Sequence, residues 1–210
     1  VLDWLDSDRD GPQPGEWYAR YDALGRAVDG GTGAAFDVPE WDCNGYRAML
    51  VERLGPEQLD TTQRETLLLA MDTLVSLQDA DGLFVEGGIV EWEGRLPATA
   101  MTSWAGLDAA ARLADAWGEP DRAADYRDAA GRIRGGLWLL YDFDRMLLAD
   151  ERDGGLAYDT SMLFGPAWGY PADPRLDSSL DWILDHATAH GGGVRYFDGV
   201  GYGQDLFYFT

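Results

Sequence analysis

The connections between the helical stretches of this chain alternate in character, and that alternation constrains the fold more than any single motif. Apolar residues recur at helical spacing over six segments. Asn44 is placed to cap the first, over about Tyr46 to Leu54, and Gly55-Pro56 stops it. Asp60 or Thr61 opens the second, which runs to about Gln78 with Leu67, Leu68, Met71 and Leu74 on its buried side. The third covers about Thr99 to Trp117 and is rich in Ala. Asp121 caps the fourth, to about Tyr141. Asp159 caps a short fifth that stops near Gly165-Pro166 or Gly169, and the sixth spans Leu176 to about Thr188. Connections within each pair are short and carry Gly-Pro or Pro-Ala-Asp-Pro turns. The others, over about 30–44, 80–98, 142–157 and 190–205, are long, acidic and aromatic.

In a stack of antiparallel helices every second connection lies at the same end. The rich loops therefore share one face and the bland turns the other. This predicts an all-α domain over residues 1–210, made of helix hairpins around an axis with a site at one mouth. Six helices make about half of a full toroid, so a remainder of the polypeptide or another subunit is expected to cover the open side.

The charge is unusual. The formal net is -22, and all 16 basic residues are Arg. Such a surface repels itself in dilute buffer and suits a salt-adapted protein of the haloarchaeal type. Nine Trp and long apolar periodicities exclude a chain disordered by its charge. The field opposes nucleic acid and anionic membranes as partners, whereas neutral sugars are indifferent to it. Cys43 is the one cysteine, which excludes an intrachain disulfide and a Cys-based metal site. His186 and His190 have i, i+4 spacing, but capping or surface roles suit them better than a metal. Asp6 to Gly11 reads as an acidic turn, because Trp17 stands where a calcium loop needs its bidentate Glu. No cofactor or metal is expected. No run is apolar enough for a membrane span and no signal peptide is visible, so the expected location is cytoplasmic.

The chemistry concentrates in Asp81 to Trp104, where Glu86, Glu91 and Glu93 sit among Phe84, Trp92 and several glycines. A structureless connection of this length in a compact domain is usually functional. Aromatic faces stack on pyranose rings, and a carboxyl in a dry aromatic pocket keeps its proton near neutral pH. The competing reading is a solvated acidic loop. A second acidic-aromatic loop, Phe36 to Gly45, brings Asp37, Glu40, Trp41 and Asp42.

Three stretches together resemble glucoamylase-like glycoside hydrolases of family 15. EWEGRLPATAMTSWAGLDAAARLA (Glu91 to Ala114) is similar to the family's acid-bearing segment and its Ala-rich helix. GGVRYFDGVGY (Gly192 to Tyr202) looks like its Arg-Tyr sugar-holding loop. YDTSMLFGPAWGYPADPRLDSSLDWI, between them, is similar to its Asp-x-Ser-x-Leu segment and Asp-Pro-Arg turn. The segments occur in the family's order over roughly residues 15 to 210. The resemblance implies an (α/α)6 toroid and an inverting hydrolase of α-linked glucose units. There, one carboxylic acid protonates the leaving oxygen and a carboxylate about 6.5–9.5 Å away activates water.

Carried over by residue, Glu91 is the general acid, with Glu93 the alternative because the motif reads Val90-Glu91-Trp92-Glu93 rather than Trp-Glu-Glu. Trp92 packs beside it, Arg195 clamps sugar hydroxyls with its planar fork, Tyr196 lies nearby, and Asp37 and Trp41 form the wall. The family's base lies well downstream of the Arg-Tyr loop, which places it outside this chain. Within the chain, Glu40, Asp42 and the acids from Asp144 to Asp153 are the carboxylates able to face Glu91. Two other classes of function compete: a non-catalytic sugar-binding or regulatory module on the same scaffold, and an acidic helical domain with no site.

Overall fold

A computed structural model of the chain describes residues 41–85, 94–152, 155–158, 160–187, 194–195 and 207–209. These form an all-α architecture with three two-stranded ribbons at its edges. Helix α1 is Trp41–Leu54, α2 Thr61–Leu77, α3 Pro97–Trp117, α4 Pro120–Gly136, α5 Gly165–Trp168 and α6 Pro174–His186.

The helix ends follow local chemistry. Asp60 caps α2 through a reciprocal box: its carboxylate accepts from the Gln63 N–H, and the Gln63 side chain accepts from the Asp60 N–H. Pro sits in the first turn of α3, α4 and α6, where no N–H is needed. Gly118, with φ 81°, takes the left-handed position that ends α3.

Cross-helix pairs fix the directions. Gly45 packs on Thr102 and Gly106, and further along Glu52 pairs with Arg112. Positions rise together, so α1 and α3 are parallel. Likewise Glu65 and Asp72 of α2 meet Arg122, and Gln78 past its end meets Ala129 and Arg132 of α4. So α2 and α4 are parallel too. Asn44 of α1 donates to the Ala70 carbonyl of α2 across the two pairs. Parallel first members and parallel second members are what successive helix hairpins give when they wind around an axis. Gly165 of α5 lies against Met101, and Trp168 against Tyr46, which continues the series α1, α3, α5 in one direction.

The core lies between these layers. Leu67, Met71 and Leu74 of α2, Met101 and Leu107 of α3, and Tyr126 and Ile133 of α4 are sealed from solvent. Helix α3 packs on both α1 and α4 and is buried along most of its length. Its Ala content is the cause: small side chains let two neighbours approach on different sides.

Between α4 and α5 the chain forms two antiparallel ribbons, where the sequence suggested only a long connection. Strand β1 (Tyr141–Asp142) pairs with β2 (Leu147–Leu148), and β3 (Asp150–Arg152) with β4 (Gly155–Ala157). Strand β5 (Val194–Arg195) pairs with β6 (Phe207–Phe209).

Candidate functional site

The parallel order of α1 and α3 puts their N-termini at one end, and three of the four rich loops are tied together there. Trp41, expected in the first loop, is instead the first residue of α1. It is buried, and its indole N–H donates to the Val85 carbonyl at 3.0 Å. Phe84, one of the aromatics grouped with the acids, is also buried and belongs to the core. The start of α1 is thus fastened to the point where the chain enters the acid-bearing stretch.

The exit from that stretch is fastened as well. The Arg95 guanidinium reaches Asp79 at 2.8 Å and Asp81 at 3.0 Å, with Glu151 at 3.7 Å. The Glu151 N–H donates to the Arg95 carbonyl at 2.9 Å, which lays β3 beside the chain leaving the loop. Gly94, with φ 151°, sits so close to the Glu151 carbonyl that a β-carbon would overlap it. The last turn of α4 closes the same neck: Gly136 packs under Asp81 and Leu83, and Gly82, with φ 89°, packs on the Arg132 backbone. Entry and exit of the loop are held by one cation shared among three carboxylates. Burial lowers the Arg95 pKa, but its hydrogen bond to Asp79 and the charges of Asp81, Asp79 and Glu151 outweigh it and raise it overall.

Glu86, Glu91, Trp92, Glu93, Asp37, Glu40, Asp153, Tyr196 and His190 lie outside the described residues, as do the Asp6 to Gly11 turn and Asp159. Arg195 is described by its backbone, in β5 opposite Phe207, and Asp42 likewise in α1. Among the acids from Asp144 to Asp153, Asp150 is 2% exposed, a buried carboxylate on the strand that flanks Arg95. Its neighbour Glu151 is exposed. Alternating chain direction in β3 sends one acid inward and the next outward, so one of this group is buried at the mouth.

Among the described residues no group of three or more His, Cys, Asp or Glu is arranged to hold a metal ion. His186 stacks on Trp182 (4.7 Å, 10°), and its Nδ1 lies 2.9 Å from the Trp182 carbonyl, a helix-end role. Among the described residues no helix is long and apolar enough to cross a membrane. A cavity of about 90 Å³ between α1, α3 and α5 lies toward the C-terminal half of α1, away from the rich loops. Its walls include Trp104, Trp168 and the Glu52–Arg112–Asp108 cluster, whose groups are satisfied by one another.

The Asp-Pro-Arg turn singled out in the sequence is a buried ion pair. The Asp173 carboxylate accepts from the Arg175 backbone N–H at 2.9 Å and from its guanidinium at 2.8 and 2.5 Å. One of those nitrogens also donates to the Arg134 carbonyl, joining α6 to α4. Tyr170 donates to the same carboxylate; burial, and then the negative charge of Asp173, push its pKa up to about 12. The motif positions α6.

No protein-family model and no curated protein matches the sequence. Its fold does have a solved counterpart: a rhamnosidase from Klebsiella oxytoca with rhamnose bound. The two superpose with a TM-score of 0.53 at 14% identity, over 75% of this chain and 33% of the rhamnosidase. The chain therefore spans about a third of that protein's length. At this identity the likeness shows the fold, a helical-toroid architecture.

Proposed function

We propose that the chain is part of a glycoside hydrolase whose site lies at the N-terminal mouth of α1 and α3. The observation that carries this reading is the superposition on a rhamnosidase across 75% of the chain. The convergence of three acidic-aromatic loops at one end of the stack supports it: a glycosidase needs two carboxylates on either side of a sugar, and this is the acid-rich end.

The finer assignment is glucoamylase-like hydrolysis of α-linked glucose with inversion. Glu91 serves as the general acid, with Glu93 as its alternative. Trp92, Arg195, Tyr196 and Asp37 surround the sugar, and Trp41 anchors the mouth from the start of α1. The base is supplied from outside this chain. A competing substrate class is rhamnosides, because the counterpart fold was solved with rhamnose bound.

Aryl glucosides and aryl rhamnosides, assayed with the whole polypeptide, separate the two sugars. Glu91→Gln is expected to cut turnover about 10²–10⁴-fold with sugar binding nearly intact, since general acid catalysis has that worth. Arg195→Ala is expected to weaken binding instead. Full turnover in Glu91→Gln, with the loss in Glu93→Gln, would move the acid two residues on. Full turnover in both would remove the loop from the mechanism and favour the non-catalytic sugar-binding module.

A further inference from the structure

The hairpin β1–β2 carries an aromatic surface that the active-site reading does not use. Trp138, in the short 3-10 turn Leu137–Leu140 after α4, is 50% exposed, and Phe143 at the hairpin tip is 66% exposed. Their rings are nearly parallel, 6.0 Å apart at 11°. Tyr141, buried beneath, meets both edge-to-face, at 5.6 and 5.0 Å. The Arg175 guanidinium lies over the Trp138 ring at 4.6 Å and is itself held by Asp173. The stack therefore rests on a buried, immobilised cation and a buried phenol.

The backbone around it is fixed too. The Asp142 carboxylate accepts from the N–H groups of Asp144 and Arg145 at 2.9 and 3.1 Å, and pins the turn. Met146 takes φ 59°, the one left-handed non-glycine among the described residues, and its side chain is 52% exposed. Side chains other than glycine rarely take that region, and such strain gathers at functional positions. A glycine would relieve it, yet the chain places an exposed methionine beside exposed Phe143.

We propose that this face is an accessory binding site for a neutral polysaccharide, one that holds the polymer near the mouth. This rests on the glycosidase reading. Two features select a neutral sugar as the occupant. The chain's net charge of -22 repels anionic ligands, whereas the uncharged C–H face of a pyranose meets the negative face of an aromatic ring favourably. Asp144, exposed, and Arg145, half-buried, follow Phe143 in the turn and offer an acceptor and donors for hydroxyls, a pattern that suits sugar better than an apolar protein surface. Position agrees as well: β2 runs on into β3, which flanks Arg95 at the mouth.

The test is affinity electrophoresis of the whole polypeptide in native gels containing amylopectin or a neutral rhamnan, beside turnover of aryl glycosides. Phe143→Ala removes a ring that the fold does not bury. It is expected to bind polymer at least about tenfold more weakly, the usual loss for truncating an aromatic anchor, while aryl glycoside turnover stays unchanged. Leu50→Ala, an exposed apolar deletion on α1, is expected to bind as the wild type does. Polymer binding that depends on Phe143 in a chain that hydrolyses nothing would keep the site and sink the hydrolase. Hydrolysis with polymer binding indifferent to Phe143→Ala would sink the site and keep the hydrolase. A wild type retarded by neither polymer, or a Phe143→Ala change seen in oligomeric state alone, would overturn the site in favour of a protein-docking face.

Discussion

Gly45 and Gly106 lie where α1 packs on α3: a β-carbon on Gly106 would strike the Gly45 backbone, and one on Gly45 would strike the Thr102 carbonyl. In a free helix Ala is better than Gly by about 1 kcal/mol. Here the sign reverses: Gly106→Ala is expected to destabilise by about 1–3 kcal/mol, because backbone rather than a movable side chain must give way. Gly131→Ala or Gly135→Ala on α4, where nothing lies within 4 Å of the added carbon, is expected to stabilise by about 0.5–1 kcal/mol. Urea unfolding of the three variants checks this, and a stabilised Gly106→Ala would show that α1 and α3 are not in contact. The Asp173–Arg175 pair carries a second residue-scale prediction. Burial pushes the Asp173 pKa up, but the hydrogen bonds and charge of Arg175 outweigh it and hold it below the usual 3.8. A carboxylate depressed in the fold contributes stability above its unfolded pKa and loses it as pH falls through the folded one. Asp173→Asn is therefore expected to cost about 3–5 kcal/mol near neutral pH, by stranding a buried guanidinium. The gap from wild type should narrow below about pH 4. An unchanged gap at acid pH would mean that Asp173 is not the group being protonated.

At the scale of elements, the six helices were legible because their apolar periodicity is a local property; of the caps, Asp121, expected to open α4, lies inside its first turn, with Glu119 at the N-cap making no side-chain bond. Asp60 caps α2 as its sequence suggests, and replacing it by Ala is expected to cost about 1 kcal/mol in a thermal melt. A midpoint unmoved by Asp60→Ala would show that Gln63 and water satisfy that helix end unaided. The boundaries that differ are those set by distant contacts. Helix α1 starts at Trp41 rather than near Tyr46, so Asn44 is inside it. Asp42, Asn44 and Gly45 look like turn residues, but Asn44 is spent on the Ala70 carbonyl and Gly45 on α3. Helix α4 stops at Gly136 rather than near Tyr141, because Gly136 must fit under Asp81 and a tighter turn then carries Leu137 and Leu140 into the core. The ribbons of 141–157 gave no strand signal: each strand is two or three residues, too short for alternation to show. The meeting of the first three rich loops at their described ends was legible from their alternation; the fourth lies almost wholly outside the described residues. The clasp at their neck was not, since Arg95 reads as one arginine among many until Asp79, Asp81 and Glu151 fold around it.

For the whole molecule, charge sets the question of which electrostatic effect dominates. Arginines are shared: Arg95 among three acids, Arg112 between Glu52 and Asp108, Arg122 between Glu65 and Asp72. Most of these groups are partly exposed, and such pairs contribute about 0–1 kcal/mol each. Salt weakens them. Against that stand 38 acidic residues and 16 Arg, which leave 22 carboxylates without a cation even if every arginine paired with one. Their mutual repulsion acts over about 10 Å at 0.1 M salt and about 3 Å at 1 M. Screening therefore removes a large unfavourable sum at the cost of a few small favourable ones. The melting midpoint is expected to rise as sodium chloride increases from dilute buffer toward molar concentration. Two comparisons isolate the cause. Potassium chloride should act as sodium chloride does, because screening depends on ionic strength alone. Sucrose, which strengthens burial without screening, should raise the midpoint without flattening the salt response. Changing exposed, unpaired acids such as Asp144 to Asn should raise the midpoint in dilute buffer and leave it nearly unchanged at molar salt. A midpoint that is flat or falls with salt would mean that the shared arginines outweigh the repulsion, and the salt-adapted reading of the composition would have to be given up.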